Sequence, residues 1–175
     1  MAARTLLTAS DVARITMRMA HELVEADRGA GDLVLLGIPT RGAVLARRLQ
    51  DAIASITGEV PATGVLDTTL YRDDLAAQPT RATGETRIPG RGIDGATVVL
   101  VDDVLYSGRT VRAALDALTD HGRPAAVRLA VLVDRGHREL PIRPDTVGRN
   151  LPTAASERVR VRFTETDGRD EVTIE

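Results

Sequence analysis

Thr97-Val98-Val99-Leu100-Val101-Asp102-Asp103-Val104-Leu105-Tyr106-Ser107-Gly108-Arg109-Thr110 carries most of the information in this chain. Its first five residues are each apolar or β-branched, the pattern of a strand buried in a sheet. The strand runs into two adjacent carboxylates and a Ser-Gly-x-Thr turn. The spacing then predicts a helix over 108–120, closed by Gly122 and Pro124. In open α/β sheets, ligands bind outside the carboxyl ends of the strands. A hydroxyl-rich turn at a helix N-terminus offers free N–H groups and a partial positive charge, which suits a phosphate monoester. Asp102 and Asp103 would repel that phosphate if they faced it, so they address another part of the ligand. Vicinal ribose hydroxyls donate to such carboxylates, and Mg²⁺ binds them directly or through water. A phosphate cradle beside a diol reader points to a phosphorylated ribose. The plainer alternative is a capped helix after a buried strand, with two solvated acids.

Outward from this stretch, strands alternate with helices. A helix is expected from Ser10-Asp11 to about Asp27, stopped by Gly29 or Gly31. Val12, Ile15, Met19, Leu23 and Ala26 share one face, with Arg14, Arg18, His21 and Glu25 opposite. Leu33-Val34-Leu35-Leu36 reads as a buried parallel strand, and a second helix fits residues 43–56, ending at Gly58. Strands are also expected at 65–70, 127–133 and 171–174, with 159–163 alternating as an edge strand would. Residues 71–95 hold Pro79, Pro89 and four glycines with almost no apolar period, which predicts a long loop of the kind that serves as a lid. The fold class is therefore α/β, one domain over 1–175, with a mainly parallel central sheet flanked by helices.

Composition narrows the chemistry. The 175 residues include no Cys, which excludes disulfides, thiolate metal sites and a thiol nucleophile. All 23 basic residues are Arg, so neither a Schiff-base lysine nor a P-loop lysine exists. Tyr71, Tyr106 and Phe163 are the only aromatics, too few for a base-stacking platform, and a net charge of −2 leaves room only for a local nucleic-acid patch. No segment reaches the roughly 18 apolar residues of a membrane span, and residues 1–11 do not read as a secretory signal. A cytoplasmic protein with no membrane partner is expected.

Residues 98–110 resemble the 5-phosphoribosyl-1-diphosphate (PRPP) binding motif of type I phosphoribosyltransferases. More narrowly, the chain resembles the PyrR family of pyrimidine-operon regulators that are also uracil phosphoribosyltransferases. Four segments carry this: Gly37-Ile38-Pro39-Thr40-Arg41-Gly42, Leu70-Tyr71-Arg72-Asp73-Asp74-Leu75, the PRPP motif, and Val131-Leu132-Val133-Asp134-Arg135-Gly136-His137-Arg138-Glu139-Leu140-Pro141-Ile142-Arg143. The PRPP motif alone marks the superfamily, and the last two segments narrow it. The likeness covers nearly the whole chain.

The resemblance implies a type I phosphoribosyltransferase fold that makes UMP from uracil and PRPP with Mg²⁺. PRPP would be held by Thr40, Arg41, Gly42, Asp102, Asp103, Val104, Leu105, Tyr106, Ser107, Gly108, Arg109 and Thr110. Arg41 suits the diphosphate on its own chemistry, since its fork matches phosphate oxygens; a Gly/Pro turn with a surface arginine is the alternative. Asp102, Asp103 and Arg41 would be catalytic, with Asp103 nearest the reacting centre and the two aspartates holding Mg²⁺ through PRPP or water. Tyr71, Arg72, Asp73 and Arg87 would belong to the lid. Uracil would lie near Val133, Asp134 and Arg135, read largely by backbone groups. No His or Glu is required as a general base.

PyrR proteins bind pyr mRNA through a basic surface, promoted by uridine nucleotides (UMP, UTP). Arg18, His21, Arg138, Arg143 and Arg149 match that surface. Ala26 and Asp27 depart from it, standing where an arginine and a neutral residue are expected. A homodimer or higher homo-oligomer is implied. The alternatives are a salvage enzyme without RNA binding, a regulator with little catalysis, and a purine phosphoribosyltransferase.

Overall fold

A computed structural model describes residues 3–77 and 84–175. In chain order the elements are β1 (Arg4–Leu7), α1 (Ala9–Asp27), β2 (Leu33–Gly37), α2 (Arg41–Thr57), β3 (Ala62–Val65), β4 (Thr97–Leu105), α3 (Arg109–Leu118), β5 (Ala126–Asp134), β6 (Thr146–Asn150), β7 (Val159–Arg162), α4 (Thr164–Asp167) and β8 (Glu171–Ile174). Five strands form a parallel sheet in the order β3-β2-β4-β5-β6. The other three form a small antiparallel sheet, β1-β8-β7.

Side-chain alternation along the central strands decides the layers. Leu33, Leu35, Val99 and Val101 face α1 and α2, where they pack with Met19, Leu23, Leu45, Leu49 and Ile53. Val34, Leu36, Val98 and Leu100 face the other way and pack with Val111, Ala114 and Leu118 of α3. The small sheet joins the first of these cores through Leu7, Val161, Val172 and the fully buried Phe163.

Local chemistry sets the element ends. Thr8, rather than Ser10, caps α1: its side chain accepts from Asp11 N–H, and the Asp11 carboxylate accepts from Thr8 N–H at 2.9 Å. The buried stripe of α1 is Val12, Thr16, Met19, Ala20 and Leu23, so Ala26 is exposed rather than on the core face. The strand expected over 65–70 ends at Val65. Leu66 N–H turns to the Gly37 carbonyl, and the Asp67 carboxylate accepts from Thr69 N–H and Oγ1, which folds the chain into a 3₁₀ turn at Thr69–Tyr71. β1 and β6 were not expected; each is short, and β6 contains a glycine.

The chain order places a crevice. From β2 it winds through α2 to β3, on one side; from β4 it winds through α3 to β5 and β6, on the other. The winding reverses between β2 and β4, and their carboxyl ends open onto the crevice where such sheets bind ligands. Close approach of the two arms depends on Gly42: a Cβ there would lie 2.4 Å from the Val101 carbonyl oxygen and 3.1 Å from Asp102 Cα. Both are backbone atoms of a central strand, so relief requires α2 to shift. Gly42→Ala is expected to cost about 1–3 kcal/mol, read as a lower urea midpoint with an unchanged slope.

Candidate active site at the β2–β4 crevice

The crevice holds a cavity of about 520 Å³ lined by Ile38, Pro39 and Thr40 after β2, Asp67, Thr68 and Thr69 after β3, Asp102, Asp103 and Val104 at the carboxyl end of β4, and Thr110 in the first turn of α3. Arg72 and Gly84 complete the wall. A second hollow of about 200 Å³ adjoins it, lined by residues 104–111 with Arg72, Asp73, Asp74 and Asp102. A third, about 170 Å³, lies between Arg41 and Asp103 on one side and β7 (residues 159–162) on the other.

Asp102 is the buried acid of the site, 8% exposed. Burial and the neighbouring Asp103 push its carboxyl well above the usual carboxylate range, with Arg72 pulling the other way. Its Oδ1 accepts from Asp103 N–H at 2.9 Å, and Asp103 Oδ1 accepts from Val104 N–H at 2.9 Å. Among the described residues no group of three or more His, Asp or Glu side chains could hold a metal ion. The Asp102–Asp103 pair therefore fits Mg²⁺ only where the ion draws its remaining ligands from substrate oxygens and water, as Mg²⁺ commonly does.

The turn at 106–108 is built for close packing. Gly108 has φ 93°, a left-handed conformation that favours glycine, and begins α3 as its N-cap. Ser107 Oγ accepts from Arg109 N–H at 3.3 Å. The segment after β5 clasps this turn: Glu139 and Leu140 N–H both donate to the Ser107 carbonyl, at 2.9 and 3.1 Å. Arg138 donates to the carbonyls of Tyr106 (3.0 Å) and Ile142 (2.8 Å) and to Asp134 (2.6 Å). Burial opposes ionisation of Asp134, but Arg138 and Gly136 N–H outweigh it and hold the carboxyl below its ordinary value. Arg109 pairs with Glu139 at 2.7 Å and with Asp73.

The structure gathers most of the sequence-predicted PRPP residues here and sends others elsewhere. Thr40, Asp102, Asp103, Val104 and Thr110 meet in the large cavity, and Arg41 lies beside it in the third hollow. Residues 71–73 are tied to α3 and to the turn after it rather than looped free. Arg72 donates to Thr110 Oγ1 at 3.2 Å and to Asp74 at 2.8 Å, and Tyr71 donates to Asp120. Arg87 is not with them: it bridges Val65 on the outer edge of the sheet and lines a different cavity with Arg47 and Gln50. Pro79, in the expected lid, lies outside the described residues. Val133, Asp134 and Arg135 line none of the three hollows. Arg135 is buried, its guanidinium 4.2 Å from the Tyr106 ring centre and bonded to Thr153 and Ala154.

The five basic residues assigned to RNA divide likewise. Arg18, His21, Arg143 and Arg149 are exposed. Arg18 also reaches across from α1 to the carbonyls of Val147 and Gly148, joining its helix to β6. Arg138 is turned inward. Asp27, the departure noted above, lies 3.5 Å from Arg128, which offsets its charge. Sequence reasoning missed Asp67, Thr68 and Thr69; the rule that ligands lie beyond strand ends reaches them once β3 is ended at Val65.

This geometry is that of a phosphoribosyltransferase: a profile of the phosphoribosyl transferase domain matches residues 3–162, and the chain belongs to that family. A hypoxanthine-guanine phosphoribosyltransferase from Bacillus anthracis shares the fold at a TM-score of 0.73 and 17% identity, over 97% of this chain and 96% of its own. Within the family, the chain falls among the PyrR proteins. Bifunctional protein PyrR of Streptomyces coelicolor is 63% identical over 172 residues, covering 98% of this chain and 89% of the relative. That of Mycobacterium tuberculosis is 57% identical over 178 residues, covering 98% and 92%. Among the described residues no helix is long and apolar enough to cross a membrane.

Proposed function

We propose that the chain transfers the phosphoribosyl group of PRPP to N1 of uracil, giving UMP and diphosphate, and that uridine nucleotides in the same site promote its binding to pyr mRNA. One observation carries the enzymatic reading. The hydroxyl-rich 106–110 turn, the carboxylate pair and the Thr40-Arg41 loop converge where the winding of the sheet reverses.

In this reading the N–H groups and hydroxyls of residues 106–110 take the 5-phosphate, and Asp102 and Asp103 accept from the ribose hydroxyls. Thr40, Arg41 and the N-terminus of α2 receive the diphosphate. The C1–oxygen bond to diphosphate breaks as the C1–N1 bond to uracil forms, and the N1 proton leaves. Positive charge develops on the ribose ring, so the protein's contribution is electrostatic and positional. Mg²⁺, bound with PRPP beside Asp102 and Asp103, would neutralise leaving-group charge. Arg72 and Asp73 tie the base of the lid to α3, and closure of the lid would exclude water from the cavity. Uracil is expected between the carboxyl end of β5 and the ribose site. The regulatory reading rests on kinship with bifunctional relatives and on the exposed Arg143 and Arg149. A cytoplasmic homo-oligomer is part of the same proposal.

Two assays test it. Purified protein with PRPP and Mg²⁺ is expected to convert uracil and leave hypoxanthine and guanine untouched; purine turnover alone would overturn the substrate. Filter binding to the leader RNA of its own pyrimidine operon is expected to tighten with UMP. Absence of binding alongside UMP synthesis would leave a salvage enzyme.

A further inference from the structure

We infer that Asp167, at the end of α4 between β7 and β8, is a positioning residue that presents Arg41 to the diphosphate of PRPP; this rests on the diphosphate assignment above. Arg41 and Arg48 stand seven residues apart on α2, about two turns, and so share a face. Both reach the α4 region. Arg48 pairs with Glu165 and Asp170, each at 2.6 Å, and lies 4.7 Å over the Phe163 ring. That end of the dock lines none of the three hollows and holds the segment between β7 and β8 on α2.

The Arg41 end is different, because it borders the hollow shared with Asp103 and β7. Asp167 takes one edge of the Arg41 fork, from Nε at 3.1 Å and from Nη2 at 2.6 Å. The carboxylate is itself held by Phe163 N–H and Thr166 Oγ1, both at 2.9 Å. Arg41 Nη1 makes no hydrogen bond among the described residues, and the side chain is 37% exposed. A fixed acid thus grips one side of the guanidinium and leaves Nη1 unbonded beside the hollow that Asp103 also lines. An arginine held in this way meets an anion without first losing side-chain freedom.

The test is a double-mutant cycle on PRPP kinetics, with Asp170 as control. Asp167→Asn is expected to raise KM for PRPP about tenfold, to leave kcat within about threefold, and to add little in an Arg41→Ala background. Asp167→Glu should recover part of the loss. Asp170→Asn loosens the same dock through Arg48 and is expected to leave KM for PRPP unchanged. Equal KM effects from Asp167→Asn and Asp170→Asn, or additivity with Arg41→Ala, would overturn the inference, because the role would then be docking alone. Should Asp167→Asn fail to fold, Asp167→Glu against Asp170→Asn makes the same comparison. An unchanged KM in Arg41→Ala itself would instead trace the failure to the diphosphate assignment.

Discussion

Replacing both Asp102 and Asp103 by Asn is expected to lower kcat/KM for PRPP by about 100- to 10,000-fold while making the protein harder to melt at neutral pH. The first half follows from removing two hydrogen bonds to charged acceptors, at about 1.5–3 kcal/mol each. The second follows from burial. The Asp102 carboxyl sits at 8% exposure beside another acid, and its folded-state value lies well above the ordinary carboxylate range. Between the unfolded value and that raised one, the native chain binds more protons than the unfolded chain. Stability from this group is therefore present at low pH, falls as pH rises through the window, and is fully lost above it. Asp102→Asn alone removes the penalty, so its melting temperature should exceed the parent's at pH 8 and approach it near pH 4. For a chain of this size each kcal/mol gained shows as roughly 2–4 °C. A variant less stable than the parent at pH 8 would contradict this account of the site.

The Arg143→Glu/Arg149→Glu double variant is expected to weaken leader-RNA binding at least about 100-fold at roughly 150 mM salt, with phosphoribosyl transfer to uracil within about twofold of the parent. Both side chains are exposed, and neither shows an ion pair among the described residues. An arginine that no longer meets an RNA phosphate should also flatten the salt dependence by close to one unit of slope, so the two together would cut it by about two. Arg138 makes a poor partner for this test. Its guanidinium is occupied by Tyr106, Ile142 and Asp134, and its loss would disturb the turn that begins α3. Full RNA affinity in the double variant would remove this face as the RNA-binding surface.

The fold was legible where signals are local and strong. The apolar runs at 33–36 and 97–101 are central strands, and Gly58 closes α2 as read. The ligand end of β4 was legible because one segment carries the strand, the acids and the turn. What escaped depends on partners distant in sequence. β1 is four residues long and exists through pairing with β8, at the far end of the chain. The ending of β3 depends on Gly37 accepting from Leu66, 29 positions away by number. The opposed fates of Arg138 and Arg143 were illegible for the same reason. Both are arginines in one charged run, and only folding turns one inward.

The small sheet has an order of assembly written into it. Its central strand is β8, the last element in the chain, and β1 and β7 touch only through it. A ribosome that has made residues 1–150 has made every strand of the five-stranded sheet and both aspartates of its crevice. Until residues 171–174 emerge, β1 and β7 have no shared neighbour, and the piece that bears Asp167 lacks its frame. Pairing of β8 with both outer strands therefore frames the β7 wall of the hollow beside Arg41 and Asp103, so that wall forms later than the crevice itself.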